Sequence, residues 1–332
     1  MKKTKTPSTR STVNPLFRWA GFTLLFLLAA FLVFIYGFFP PMVAKSIVAR
    51  SHLRQAITLT PKDDGFQYQD VSFKTDDGIL LKGWWMPPVK KGKVQGTIIL
   101  SHGVFHNRQQ MLTRAEFLVQ AGYQVLLFDF RGNGESGDSP VSGGLLESKD
   151  FLAAYQFLSQ QHELQKPVLF YGFSLGAIAA LRAGAAEGGD KIQAVVADSP
   201  LPNLKAYVSR RTMGGGFSFL PGFMGRCLSA YDALTGLSLT EEDLDLMPVV
   251  KRIQDFPVLY ITGQKDDLAR SPEVEKLFTL TPAPHRRLIY IPDADHDHTF
   301  SEYPIIYERE VLEFLTDLKA GFPQMKGPGM GN

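Results

Sequence analysis

The sequence predicts an α/β protein. Its core is a mostly parallel, twisted sheet of about eight strands with helices on both faces, preceded by a transmembrane helix. Three observations predict this. From residue 97 onward, short apolar runs alternate with helix-forming stretches. One serine lies in a glycine-flanked pentapeptide between such a run and such a helix. Residues 19–44 carry no charged side chain.

The N-terminal elements come first. Residues 1–18 form a basic tail with Lys2, Lys3, Lys5, Arg10 and Arg18. Residues 19–41 are the expected transmembrane anchor, because an apolar helix of about 20 residues rises ~30 Å, the thickness of a bilayer's hydrocarbon core. Trp19 and Tyr36 lie near its ends, where amphipathic rings prefer to sit. Pro40 and Pro41 are expected to stop the helix. The run is longer than the apolar region of a signal peptide, and Met42-Val43-Ala44 is a poor cleavage site, so an uncleaved anchor is expected. Lys/Arg residues are more numerous before the span than just after it, where Lys45, Arg50 and Arg54 lie. This predicts a single-pass protein with a cytosolic N-terminus and an extracytoplasmic domain. Residues 42–65 read as a short helix and linker.

The domain is expected over 66–320. Strand-like stretches at 67–74 and 78–86 flank Thr75-Asp76-Asp77-Gly78, and Asp-Gly is a hairpin turn signal. The alternating series follows. Strands are expected at 97–100, 124–128, 168–171, 192–197, 257–261 and 287–291. Helices are expected at 109–121, 146–160, after residue 176, near 272–280 and at 305–319. An insert at about 199–250 breaks the alternation and reads as lid-like, with a Phe- and Gly-rich section at 213–223. Residues 321–332 are expected to be a flexible tail.

Composition bounds the chemistry. The 332 residues are 45% hydrophobic and 20% charged, which suits one large globular domain with additions. A net charge of +2 gives no nucleic-acid footprint. The single cysteine, Cys227, excludes an internal disulfide and a Cys-based zinc site.

The pentapeptide is Gly172-Phe173-Ser174-Leu175-Gly176, which fits G-x-S-x-G between a strand and an Ala-rich helix. That is the context of a nucleophile elbow. A serine hydroxyl needs a base to take its proton, and the base needs an orienting carboxylate. Candidate carboxylates are Asp266 and Asp267, just past the strand at 257–261. Candidate bases are His296 and His298, past the last strand. The H-x-H pattern among aspartates also resembles a metal-ligand cluster, but an activated serine already requires one of these histidines, so no metal or cofactor is expected. The N–H groups of Val104 and Leu175 are candidates for an oxyanion hole. His102 reads as a loop-shaping residue, and His52, His106, His162 and His285 as surface or local-structure residues.

The segments DDGILLKGWWMPP, ILSHGVFHNR, AGYQVLLFDFRGNGESG, YGFSLGAIAAL, VVADSP, FPVLYITGQKDDL and IPDADHDHTF together resemble the α/β-hydrolase superfamily. The likeness is strongest to bacterial membrane-anchored or secreted members of the serine aminopeptidase-like and BEM46-like groups. It spans about residues 70–320, and the run at 129–136 is particularly specific. The resemblance implies the α/β-hydrolase fold, Ser174 as nucleophile, Asp266 as acid, His296 as base, and Val104 and Leu175 as oxyanion donors. The expected reaction is hydrolysis of an ester or thioester through an acyl-serine, on a small-molecule or lipid-like substrate. A serine aminopeptidase-like peptidase and a non-catalytic binding protein of the same fold are the alternatives. The expected partners are that substrate and membrane lipid, without nucleic acid.

Overall fold

The computed structural model describes residues 15–51, 53–89, 92–161, 164–203, 210 and 220–322. The start of the basic tail, His52, His162, the Gly- and Phe-rich residues 213–219 of the insert and the tail beyond residue 322 lie outside the described residues.

Strands β1 (Gln69–Lys74), β2 (Leu80–Met86), β3 (Thr97–Ser101), β4 (Gln124–Phe128), β5 (Val168–Phe173), β6 (Ala194–Asp198), β7 (Val258–Gly263) and β8 (Arg286–Ile291) form one eight-stranded sheet. Its order is β1-β2-β4-β3-β5-β6-β7-β8. The β1–β2 hairpin and the β2–β4 pair are antiparallel, and all later pairs are parallel. The hairpin turns at Gly78, whose positive φ suits glycine and whose N–H donates to Thr75 O at 2.9 Å. Strands β3, β4, β5, β6 and β7 are buried throughout, which is why they read as continuous apolar runs.

Alternate residues of each strand face opposite layers. On one face, Phe170 and Tyr260 pack with helices α4 (Leu145–Gln161), α5 (Leu175–Glu187) and α8 (Ser271–Leu280) through Phe151, Leu181 and Leu277. On the other, Tyr171 and Leu259 pack with α3 (Leu112–Gln120) and α9 (Pro304–Ala320) through Phe117, Tyr307 and Phe314. Burial of each such large side chain stabilises the fold by about 1.5–3 kcal/mol. The parallel register aligns Ser101 with Gly172, and Gly172 with Ala197. The loops after β3, β5, β7 and β8 therefore open at one carboxyl edge, where ligands of such sheets bind.

The N-terminal helix corrects one expectation. Pro40 and Pro41 do not end it. Helix α1 (Pro15–Val33) passes through one π-helical turn, Phe34–Phe38, into α2 (Phe39–Ser51). In the wider turn the Phe39 N–H reaches Phe34 O. Both prolines directly follow this widened turn, where the regular i to i−4 bonding is already interrupted, so the helix continues past them. The continuous helix Leu16–Arg50 has 35 residues, long and apolar enough to cross a membrane. Its first half exposes its large apolar side chains, including Phe22, Leu25 and Phe26.

Its second half packs on the insert. There Ile35, Val43 and Ala44 are buried, and Ile35 and Val43 cluster with Phe223, Met224 and Cys227 of α6 (Phe223–Thr235). The Phe39 and Phe223 rings stack with centroids 5.8 Å apart. The rest of the described insert returns through the short helix α7 (Met247–Val250), anchored by a bridge between Asn203 and Asp245.

Candidate active site

Ser174 sits between the end of β5 and the first residue of α5 with φ +54° and ψ −112°. A non-glycine residue held in such a region costs on the order of 1–3 kcal/mol, and persists only where its surroundings demand it. The surroundings here are two close approaches. A Cβ at Gly172 would lie 2.0 Å from the Gly176 carbonyl carbon, and one at Gly176 would lie 2.5 Å from Ser101 O. The Ser174 N–H donates to Asp198 O at 2.8 Å, tying the turn to the end of β6.

Three of the sequence-predicted residues meet. His296 Nε2 lies 2.8 Å from Ser174 Oγ, and His296 Nδ1 lies 2.8 Å from Asp266 Oδ2. All three side chains are buried. The other carboxylate oxygen, Asp266 Oδ1, accepts from the N–H groups of Leu268 and Ala269 at 2.8 and 2.7 Å, which fixes the carboxylate. Burial alone would lower the His296 pKa. The hydrogen bond and charge of Asp266 outweigh it and hold the pKa above the ordinary 6.5.

The other two candidates lie apart from this chain of bonds. Asp267 is exposed. His298 is exposed and pairs with Asp295 Oδ1 at 2.6 Å.

Val104 follows β3 and Leu175 opens α5, so both flank the serine's edge of the sheet. Neither N–H has a hydrogen-bond acceptor among the described residues. His102 is fully buried. Its Nδ1 lies 2.7 Å from Gly103 O, and its Nε2 accepts from Phe130 N–H at 3.1 Å. Burial drives its pKa down to about 3, so the neutral ring braces the loop after β3. Among the described residues no group of three or more His, Cys, Asp or Glu is arranged to hold a metal ion.

Sequence reasoning missed two features. His106 is not remote from the site: burial lowers its pKa, and the charges of Asp297, Arg50 and His296 act on it. A buried polar network also underlies the elbow. Arg114 Nη2 donates to Asp198 Oδ2 at 2.8 Å, which also accepts from Tyr307 at 2.7 Å, and Thr299 Oγ1 donates to Asp198 Oδ1 at 3.0 Å. Tyr171 bonds Tyr307, and the Arg114 guanidinium lies 5.3 Å from the Phe173 ring, whose centroid is 5.3 Å from that of His296. The signal in the sequence was VVADSP, whose aspartate closes β6.

The specific run at 129–136 is a brace. Asp129 accepts from the N–H groups of Arg108 and Glu135 at 2.6 and 2.9 Å and pairs with the Arg108 guanidinium. Ser136 Oγ donates to Asp129 O at 2.7 Å and accepts from Lys82 N–H at 3.0 Å.

A mostly parallel eight-stranded sheet with its site on the loops at the carboxyl edge is the α/β-hydrolase fold. The chain belongs to the α/β-hydrolase superfamily and is a hydrolase by family. Residues 92–231 match the family model described as serine aminopeptidase, S33. The Pyrococcus furiosus esterase Pf2001 superimposes with a TM-score of 0.65 at 31% identity, covering 79% of this chain and 96% of that one. YfhR of Escherichia coli O157:H7 is 27% identical over 260 residues, 76% of this chain and 82% of YfhR. The Schizosaccharomyces pombe protein bem46 is 24% identical over 242 residues, 72% of this chain and 74% of bem46.

Proposed function

We propose that the protein is a membrane-anchored serine hydrolase that cleaves carboxylic esters or thioesters through an acyl-serine. The observation that carries this reading is the unbroken line of bonds from Ser174 Oγ through His296 to Asp266. In the proposed reaction Ser174 Oγ attacks the substrate carbonyl carbon while its proton passes to His296 Nε2. Asp266 holds the ring through its Nδ1–H and stabilises the imidazolium. The N–H groups of Val104 and Leu175 meet the negative charge on the carbonyl oxygen, each lowering the barrier by about 3 kcal/mol. The tetrahedral intermediate expels an alcohol or thiol, which takes the proton from His296. Water, deprotonated by His296, then releases the acid and restores Ser174.

Esters are favoured over amides because they have the better leaving group, and because Pf2001, similar over most of this chain, is an esterase. The matching family model, described as a serine aminopeptidase, supports a peptidase as the second reading. The two separate on p-nitrophenyl esters of increasing chain length assayed beside aminoacyl amides. Ester turnover that is absent in Ser174→Ala is the expected result. Preferential turnover of the amides would sink the esterase reading.

For the membrane, the exposed apolar half of the Leu16–Arg50 helix supports an anchor. Burial of Ile35 and Val43 against the insert argues against cleavage, which would strip those contacts. The excess of basic residues before the span supports a cytosolic N-terminus with the domain outside. External protease should therefore digest the domain in intact cells, and protection would reverse the orientation.

A further inference from the structure

The loop after β3 carries the proposed oxyanion donor Val104, and it is held from both sides. On its inner side, the Gly103 N–H donates to Gln110 Oε1 at 2.8 Å, and His102 braces its start. On its outer side lies the chain that leaves the apolar helix. Arg50, near the end of α2, places its guanidinium 5.2 Å from the centre of the Phe105 ring. Phe105 follows Val104 directly and has φ +62°, a conformation its side chain does not favour and one that needs external support.

Residues 54–59 then run along the loops after β4 and β3 in turn. Arg54 donates to Gly134 O at 3.0 Å and to Ser136 O, and pairs with Asp138. Gln55 O accepts from Asn107 Nδ2 at 3.0 Å. Asn107 is buried, and its own Oδ1 accepts from the Gln109 N–H at 2.9 Å. Gln109 Oε1 in turn accepts from the N–H groups of Thr58 and Leu59 at 2.7 and 3.1 Å. Asn107 and Gln109, at the base of the loop, are thus committed to this strap, while Gln110 braces the loop from within. A mere linker has no need of such bonds, since a tether is satisfied by solvent along its length.

We infer that Arg50 and residues 54–59 form a positioning strap that holds the loop carrying Val104 in its catalytically competent shape, coupling the apolar helix to the active site. The inference rests on the hydrolase reading above for its consequence, though not for the docking itself. The strap contacts this loop and the loop after β4 rather than Ser174, His296 or Asp266. It acts through Phe105, Asn107 and Gln109, and its contribution falls on a charge that develops only in the transition state. Loosening it should therefore lower kcat and leave KM unchanged.

The test uses the full chain in lipid nanodiscs, with Arg50→Ala, Gln109→Ala and Arg50→Lys. One exposed cation–π contact is expected to be worth about threefold in kcat, and the pair of backbone bonds to Gln109 about tenfold. Arg50→Lys, which keeps a cation over the ring, should restore most of the loss. Amide hydrogen exchange of residues 103–107 should quicken in both alanine variants, with the thermal unfolding midpoint unchanged. Unaltered exchange, or quickened exchange with wild-type kcat, would overturn the strap. A loss of kcat that tracks a lowered unfolding midpoint would reduce it to general stability and overturn it as well. If the wild type itself shows no Ser174-dependent turnover, the hydrolase reading fails. The exchange rates then still decide whether the strap orders the loop.

Discussion

The elbow after β5 and the loop after β3 bring backbone to the same serine by opposite means. The elbow is held by its immediate neighbours: Gly172 against Gly176, Gly176 against Ser101, and Ser174 N–H on Asp198 O. Its conformation is written within a pentapeptide and the ends of the two strands beside it. The loop after β3 contains only one glycine, Gly103, and its shape is held by side chains and by chain from residues 50–59. A locally encoded turn tolerates no added atom. A loop held at a distance tolerates many changes, each at a small cost. One part of the site should therefore fail abruptly and the other gradually.

The sharpest way to break the elbow is Gly172→Ala. The added methyl group would lie 2.0 Å from the Gly176 carbonyl carbon, so the turn must rebuild. Turnover should fall by at least about 10⁴-fold, the cost of losing a triad member. Near-wild-type activity would mean that the elbow is not under this constraint. Of comparable size is the contrast between the two histidines. His296→Ala should cost about 10⁴-fold in kcat, while His298→Ala stays within about twofold, because only His296 reaches both Ser174 and Asp266. The reverse ranking would move the base to His298.

The network beneath the elbow comes next. Arg114→Met leaves the Asp198 carboxylate buried without its cation, and should lower unfolding stability by about 3–5 kcal/mol in a denaturant titration. A loss below about 1 kcal/mol would mean that Tyr307 and Thr299 alone satisfy Asp198. The smallest effect is on pH. His296 must be neutral to accept the serine proton, and its pKa is raised, so kcat/KM should increase with pH through a midpoint above 6.5. Asp266→Asn removes the group that raises this pKa and should move the residual midpoint down. An unmoved midpoint would assign the limb to another group.

The same contrast explains what was legible in the sequence. Strands buried on both faces are apolar at nearly every position, so TIIL, QVLLF and VLFY stand out as runs, with the buried polar Thr97 and Gln124 bonding each other. The elbow was legible because only glycine fits its close contacts. Pro40 and Pro41 misled because proline interrupts the regular helical bonding, and here a widened turn just before them already takes up that interruption. Residues 42–65 looked like a linker because docking through Asn107 and Gln109 leaves no periodic pattern in either partner. Of the Asp198 network only the aspartate itself, in VVADSP, stood out, for a similar reason. Arg114, Tyr171, Thr299 and Tyr307 come from separate parts of the chain, and each is unremarked until the sheet brings them together.

The proposed reaction turns on Ser174 being an activated nucleophile, and this can be read by labelling the full chain with a fluorophosphonate followed by peptide mass mapping. One phosphonyl adduct on Ser174 is expected, absent in Ser174→Ala and strongly slowed in His296→Ala. No adduct on the folded wild-type protein, or an adduct that persists in Ser174→Ala, would contradict it.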